Sequence, residues 1–304
     1  MVPFPKVLRI EPASKCNLAC VHCPTGTIEM AREIMSLETI QKVLIDIEKN
    51  KEKIKTIVLY HGGEPFLNKN FFYMLEQVKN INKNFYIKTV SNGTVLNSKI
   101  VQRIVDSDID LIEFSLDGDS AQDSEKIRRK SDTIKIVENI KELLELKKNL
   151  SKSKPDIRIC STQFFKDKKA VKKNEVPKTA NWILEYFKNE DVTFKNFFAM
   201  QWPSMTNKSD EFEKVIIENE DDKNYCDHVI NTLTIRANGE VVPCCYDLTT
   251  ELSMGNIANE SLENIWNNSK YNKLRDSINS KKYISICNNC NVVRPSIFLI
   301  RNSK

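Results

Sequence analysis

Apolar residues recur along this chain with two different periods. Short runs at 7–10, 55–60, 85–90, 111–116, 157–163 and 192–199 are dense in Val, Ile, Leu and Phe and predict strands. Between them apolar positions return every three or four residues, which predicts helices. Leu37, Ile40, Leu44 and Ile47 form one stripe behind Ser36, a suitable N-cap. Phe71, Leu75 and Val78 form a second. Ile100, Ile104 and Val105 follow Asn97 or Ser98. Ile136, Ile140, Leu143 and Leu144 continue the series, and Trp182, Ile183, Tyr186 and Phe187 close it. Strands alternating with helices imply an α/β fold built on a parallel sheet with right-handed crossovers. Six repeats suit an open, partial (β/α)6 barrel better than a closed eightfold one.

The pattern changes after Trp202. Residues 203–225 are polar and acidic and read as a linker or a partly helical connection. From 226 onward the chain carries short strand signals at 233–236 and 240–243, a helix signal near 261–266, and five cysteines. The expected organisation is a partial barrel over 1–202, a linker over 203–225, and a small cysteine-rich domain over 226–304.

Composition narrows the function classes. The chain has 304 residues, 40% apolar and 29% charged, enough to bury a core without staples. A membrane helix needs about 20 apolar residues; the longest apolar run near either end is 297–300. The N-terminal stretch is too mixed for a signal peptide, so a cytoplasmic location is expected. A net charge of +5 does not call for nucleic acid. Lysine-rich stretches at 147–154 and 166–173 lack interleaved aromatics; they suit solvated loops, or steering of an acidic flavodoxin or ferredoxin.

Glycine occurs only seven times, and cysteine nine times. Scarce glycine is expected where no other residue fits. Spaced cysteines without an export signal read as metal ligands. Cys16, Cys20 and Cys23 form Cys-x3-Cys-x2-Cys directly after the first strand. Three thiolates from one loop can hold three irons of a 4Fe–4S cube and leave the fourth iron open. Structural zinc needs four closed ligands, and no fourth is near in sequence.

This spacing resembles the radical S-adenosylmethionine (SAM) superfamily. HGGEP at 61–65, SNG at 91–93 and SLDG at 115–118 follow the second, third and fourth strands, as the family's motifs do. Parallel sheets bind ligands beyond the carboxyl ends of their strands, so the positions also make sense alone. The resemblance implies that the open iron chelates the amine and carboxylate of SAM. It implies that Gly62, Gly63, Glu64 and Pro65 meet that amine, and that Ser91, Asn92, Ser115 and Asp117 reach the ribose or carboxylate. Arg128 or Arg129 is implied as a carboxylate ligand. His22 stands where the family usually has an aromatic residue near adenine. His61, before GGEP, reads as a packed strand-end residue.

Cys226-x12-Gly239-x4-Cys244, followed by MGNI and SLENIW, resembles the C-terminal SPASM or twitch extension of these enzymes. That resemblance implies one auxiliary 4Fe–4S cluster held by Cys226, Cys244, Cys287 and Cys290. Cys245 is an alternative to Cys244, and the spacing also allows a four-cysteine zinc site. Cys160 lies in the fifth strand, sharing a face with Arg158 and Thr162. On a lumenal face Cys160 could donate hydrogen and Arg158 could bind substrate. A buried structural cysteine is the reading preferred for Cys160.

The resemblance implies reductive cleavage of SAM to a 5′-deoxyadenosyl radical that takes hydrogen from a substrate carbon. An auxiliary cluster that is fully ligated suits a two-electron oxidation. Only six residues precede the first strand, which leaves no room for a leader-peptide-binding domain. The single-cluster layout resembles cyclitol dehydrogenases, so the expected substrate is a small hydroxylated molecule. Peptide or protein modification, including epimerisation, is the enzymatic alternative. An electron carrier or zinc-binding module is the non-enzymatic one, and it leaves GGEP, SNG and SLDG without a role.

Overall fold

The computed structural model describes residues 2–172, 175–200, 202–205, 212–216, 222–295 and 297–302. Six strands match the six apolar runs: β1 (Val7–Ile10), β2 (Thr56–Leu59), β3 (Tyr86–Ser91), β4 (Leu111–Ser115), β5 (Asp156–Gln163) and β6 (Thr193–Phe198). They pair in parallel in chain order. Their helices cap as the sequence suggests. Ser36 accepts from Thr39 N ahead of Leu37–Lys49. Asn97, not Ser98, caps Ser98–Asp106 by accepting from Ile100 N. One face of each helix packs on the sheet, with Ile40, Val43 and Ile47 buried in the first and Ile136, Ile140 and Leu143 in Thr133–Asn149.

The cysteine-rich segment does not form a sheet of its own. Strand β7 (Thr232–Ile235) pairs in parallel on the free edge of β1, with Leu8 opposite Leu233. Strands β8 (Glu240–Val242) and β9 (Gly255–Asn256) extend it antiparallel. The sheet therefore runs β9-β8-β7-β1-β2-β3-β4-β5-β6. A common core joins the two parts and includes Trp266 and Tyr271, both fully buried. Trp266 Nε1 donates to Pro3 O at 2.9 Å, and Leu262 N donates to Asp46 at 3.1 Å. Every inner apolar face thus finds a partner, as a half-buried sheet requires.

The segment read as a linker contains structure. Phe212–Ile216 pairs antiparallel with Ile297–Arg301, whose Ile300 bridges to Phe165 beyond β5. Its polar neighbours hid a five-residue strand whose partner lies some eighty residues away. Residues 206–211 and 217–221 of that segment lie outside the described residues.

Candidate active site

The loop after β1 carries Cys16, Cys20 and Cys23. It is fixed by backbone contacts from the loop after β2. Glu64 N donates to Lys15 O at 2.8 Å. A Cβ on Gly63 would lie 2.2 Å from Lys15 O and 2.4 Å from Ala13 O, so only glycine lets the two loops meet. The close approach anticipated for Gly62 and Gly63 is thus made to the protein's own chain; Gly62 N donates to Glu11 at 3.0 Å. Beyond β3, Asn92 Nδ2 reaches Asn17 Oδ1 at 3.0 Å and Cys16 Sγ at 3.7 Å. A short ribbon pairs Cys20 with Arg128.

The three thiols lie within electrostatic reach of one another. Burial pushes Cys16 upward and Cys20 to about 12, while the Arg128 guanidinium opposes both shifts. Among the described residues, no three His, Cys, Asp or Glu side chains gather around a point suited to one metal ion. Three soft donors with a buried cation beside them fit a cube that takes three protein ligands.

The structure separates the two arginines. Arg128 is buried, and its Nη1 donates to Asp117 Oδ2 at 2.8 Å. Arg129 is exposed and lines a cleft beside β5. Asp117 is fully buried, and its other oxygen accepts from Thr162 N at 2.7 Å. Asp117 therefore orients Arg128. Glu64 is likewise engaged: it accepts from Ser91 Oγ at 2.9 Å, Asn92 N at 2.7 Å and Phe66 N at 3.3 Å. Burial raises Glu64 to about 7 against those bonds. Ser91 is spent on this lock and on Gly93 N, and Pro65 opens the short 3-10 turn Pro65–Leu67.

His22 lies 3.9 Å from Asp117 and stands edge-on to Phe164, ring centres 5.8 Å apart. Burial lowers His22 to about 4, so the ring is neutral. Its buried Nδ1 has no hydrogen-bond partner, an open position for a polar ring edge.

On the lumenal face, Ser115 stands opposite Cys160 in register, and Cys160 opposite Lys195. Burial and the Glu113 carboxylate push the Cys160 thiol up to about 12, which keeps it protonated. Arg158 Nη1 donates to Glu113 at 3.1 Å. Tyr60, directly after β2, is within electrostatic reach of Cys23, Cys245, Arg9 and Glu113.

In the C-terminal segment, Cys226, Cys244, Cys287 and Cys290 are all buried. Cys244 interacts with Cys290 and Cys287, and Cys287 with Cys290 and Cys226. Cys245 is less buried and lies 3.8 Å from His228 Nε2. Burial would raise Cys245, but Arg9 and His228 bring it to about 7. Cys287 and Cys290 lie at one tight turn, with Cys290 N donating to Cys287 O at 3.3 Å. Four buried thiols in one neighbourhood suit an iron–sulfur cube better than a single metal ion.

Sequence reasoning missed one residue that organises the site. Glu11 ends β1 and is fully buried. It accepts from Gly62 N and from Ala237 N, each at 3.0 Å. His61 Nδ1 lies 3.2 Å away and Arg236 Nε 3.5 Å away. One carboxylate thus ties the cysteine loop, the HGGEP loop and the turn after β7. A charged residue directly ending an apolar strand was the available signal. His61 is packed in this cluster, and its buried Nε2 has no partner.

Comparison with known proteins agrees with this arrangement. Residues 10–153 match the radical SAM superfamily model, and residues 226–291 match SPASM, an iron–sulfur cluster-binding domain. The tungsten-containing aldehyde ferredoxin oxidoreductase cofactor-modifying protein of Pyrococcus furiosus is 25% identical, over 94% of this chain and 87% of that protein. A GTP 3′,8-cyclase of Aliarcobacter butzleri is 27% identical over 44% of this chain and 42% of its own. Among solved structures, BtrN in complex with AdoMet and 2-DOIA superposes with a TM-score of 0.61 at 16% identity, covering 96% of this chain and 94% of that one. Native anSMEcpe with bound AdoMet and Cp18Cys peptide gives 0.63 at 16% identity, covering 93% and 87%.

Proposed function

We propose that this chain, which belongs to the radical SAM superfamily and ends in a SPASM segment, oxidises a small hydroxylated molecule by two electrons after cleaving SAM. When bound, the first cluster supplies the electron that converts SAM into methionine and a 5′-deoxyadenosyl radical, which takes hydrogen from substrate carbon. In this reading Cys16, Cys20 and Cys23 hold that cluster. Arg128, oriented by Asp117, holds the SAM carboxylate through a charge-assisted bond. The backbone at Gly62–Glu64 and the side chain of Asn92 border the methionyl group, and neutral His22 borders the adenine. Lumenal Ser115 and Arg158 orient the substrate and limit water. Cys226, Cys244, Cys287 and Cys290 hold the auxiliary cluster, and Cys245 stays outside it. A flavodoxin or ferredoxin serves as electron donor.

The observation that carries oxidation is the pairing of β7 on β1. It brings the segment that carries Cys244, just beyond β8, onto the free edge of the strand that precedes the first cysteine loop. An auxiliary cluster held there would supply an acceptor for an electron leaving the substrate. The test is anaerobic turnover with candidate polyols, scoring 5′-deoxyadenosine against oxidised product. One-to-one formation supports oxidation, whereas solvent deuterium at carbon in an unoxidised product would favour epimerisation.

A cleft of about 1110 Å³ supports the peptide-modifying alternative. It lies beyond β4–β6 and is lined by Phe164, Phe165 and Phe198, apolar surface that side chains of a peptide could cover.

A further inference from the structure

The lumenal face of the sheet carries more positive than negative charge, and its register shows where. In one row Thr234, Arg9, Val58 and Lys88 stand side by side across β7, β1, β2 and β3. In the next row Val90, Glu113, Arg158 and Thr193 follow across β3 to β6. Above them come Ser115, Cys160 and Lys195. Cross-strand partners project from the same face, so these side chains share one lumen.

Glu113 is the buried acid of this face. It takes Lys88 Nζ at 2.8 Å and Arg158 Nη1 at 3.1 Å, and Lys195 adds to its field. The other carboxylates on the face are Asp156, exposed at the outer end of β5, and Glu240 on β8, beyond β7. Arg9 is bonded to neutral Thr234, and its buried Nε has no hydrogen-bond partner. The acids that lie nearer the strand ends are committed elsewhere: Glu11 to His61 and Arg236, Asp117 to Arg128. Four cations thus face three carboxylates, of which only Glu113 lies among them. Clustered cations are costly to hold in a partly buried cavity unless something answers their charge. Arg158 is one-third exposed and Lys195 is exposed, so the group remains open to a ligand.

We infer that Lys88, Arg158 and Lys195 around Glu113, with Arg9 farther along the same face, bind an anionic substituent of the substrate, a carboxylate or a phosphate. The inference rests on the radical SAM reading and narrows its substrate class from hydroxylated molecules to those carrying an acid group. Glu113 lies two residues before Ser115, about 7 Å down the strand. An anion held there leaves the rest of the molecule pointing toward the cysteine loop at the strand ends. Arg158 offers the planar fork that matches either acid group.

The test uses the full chain, reconstituted anaerobically and titrated calorimetrically with inorganic phosphate, with succinate and with myo-inositol at constant ionic strength. At least one anion is expected to bind, and inositol is not. Arg158→Gln should weaken the anion about tenfold or more and Lys195→Gln about threefold. Lys195 is exposed, so its variant should fold, and the iron content of each variant checks this. The preferred anion then names the acid group. Binding no stronger than inositol, or binding unchanged in both variants, overturns the inference. Iron content and SAM cleavage without substrate, measured on the same wild-type preparation, report separately on the radical SAM reading.

Discussion

Glu11→Gln tests the buried carboxylate that joins the two cysteine groups. The substitution keeps shape and volume but removes the charge facing Arg236 and His61, and offers a donor where Gly62 N and Ala237 N both need an acceptor. Breaking one side of a buried pair costs roughly 3–5 kcal/mol, and an orphaned buried N–H about 1–3. A second route gives a similar size. Burial raises Glu11, but the His61 contact and the charges of His61 and Arg236 outweigh it and bring the group from 4.5 to about 2. That drop corresponds to about 3 kcal/mol of stability at neutral pH. Because the folded value lies below the unfolded one, the contribution is complete above about pH 5. It is lost as the pH falls from about 4.5 through about 2. Urea unfolding followed by tryptophan fluorescence should show the variant about 3–5 kcal/mol less stable at pH 7. The gap should narrow below pH 4.5. A difference under about 1 kcal/mol at pH 7, or one that stays constant down to pH 3, would refute the reasoning.

Four further outcomes follow from the site. Replacing Cys16, Cys20 and Cys23 together with Ala should abolish 5′-deoxyadenosine release and remove about four irons per chain by colorimetric analysis. The wild-type chain should hold about eight irons in two cubes; one cube plus stoichiometric zinc would make the C-terminal segment a zinc fold. Arg128→Gln should weaken SAM binding about tenfold or more by equilibrium dialysis, whereas Arg129→Gln should change it less than about threefold. Cys160→Ala should retain turnover with a competent substrate, while Cys287→Ala should release 5′-deoxyadenosine without oxidised product.

The barrel was legible because its signals are local. Each apolar run became a strand within a residue or two, and Ser36 and Asn97 cap the helices they precede. The loop motifs were legible for the same reason, since each is a short string at a strand end. What stayed hidden depends on partners distant in sequence. The pairing of Phe212–Ile216 with Ile297–Arg301 could not be read from a five-residue alternation. The joining of β7 to β1 is equally remote, as both strands look alike whatever they pair with. Glu11 was missed because a single acid has no pattern; its meaning comes from Gly62, His61 and Arg236 arriving from elsewhere. Arg128 and Arg129 are neighbours in sequence, and strand alternation alone did not say which would be buried.

The pairing of β7 on β1 also sets a timetable. Strand β1 leaves the ribosome well before its edge partner, which follows 225 residues later, since Val7 pairs with Thr232. At about 5–20 residues per second, that interval is roughly 10–45 s. Throughout it one edge of the nascent sheet is open, a template for pairing with the wrong chain. Cys16, Cys20 and Cys23 emerge at the start of the same interval, before the segment bearing Arg236 and Ala237 can close on Glu11. Loading of iron and sulfide during synthesis would therefore meet a half-built sheet with an accessible cysteine loop, and loading after release a closed one. Yield of intact enzyme should then depend on the speed of translation through the middle of the chain as well as on the supply of iron.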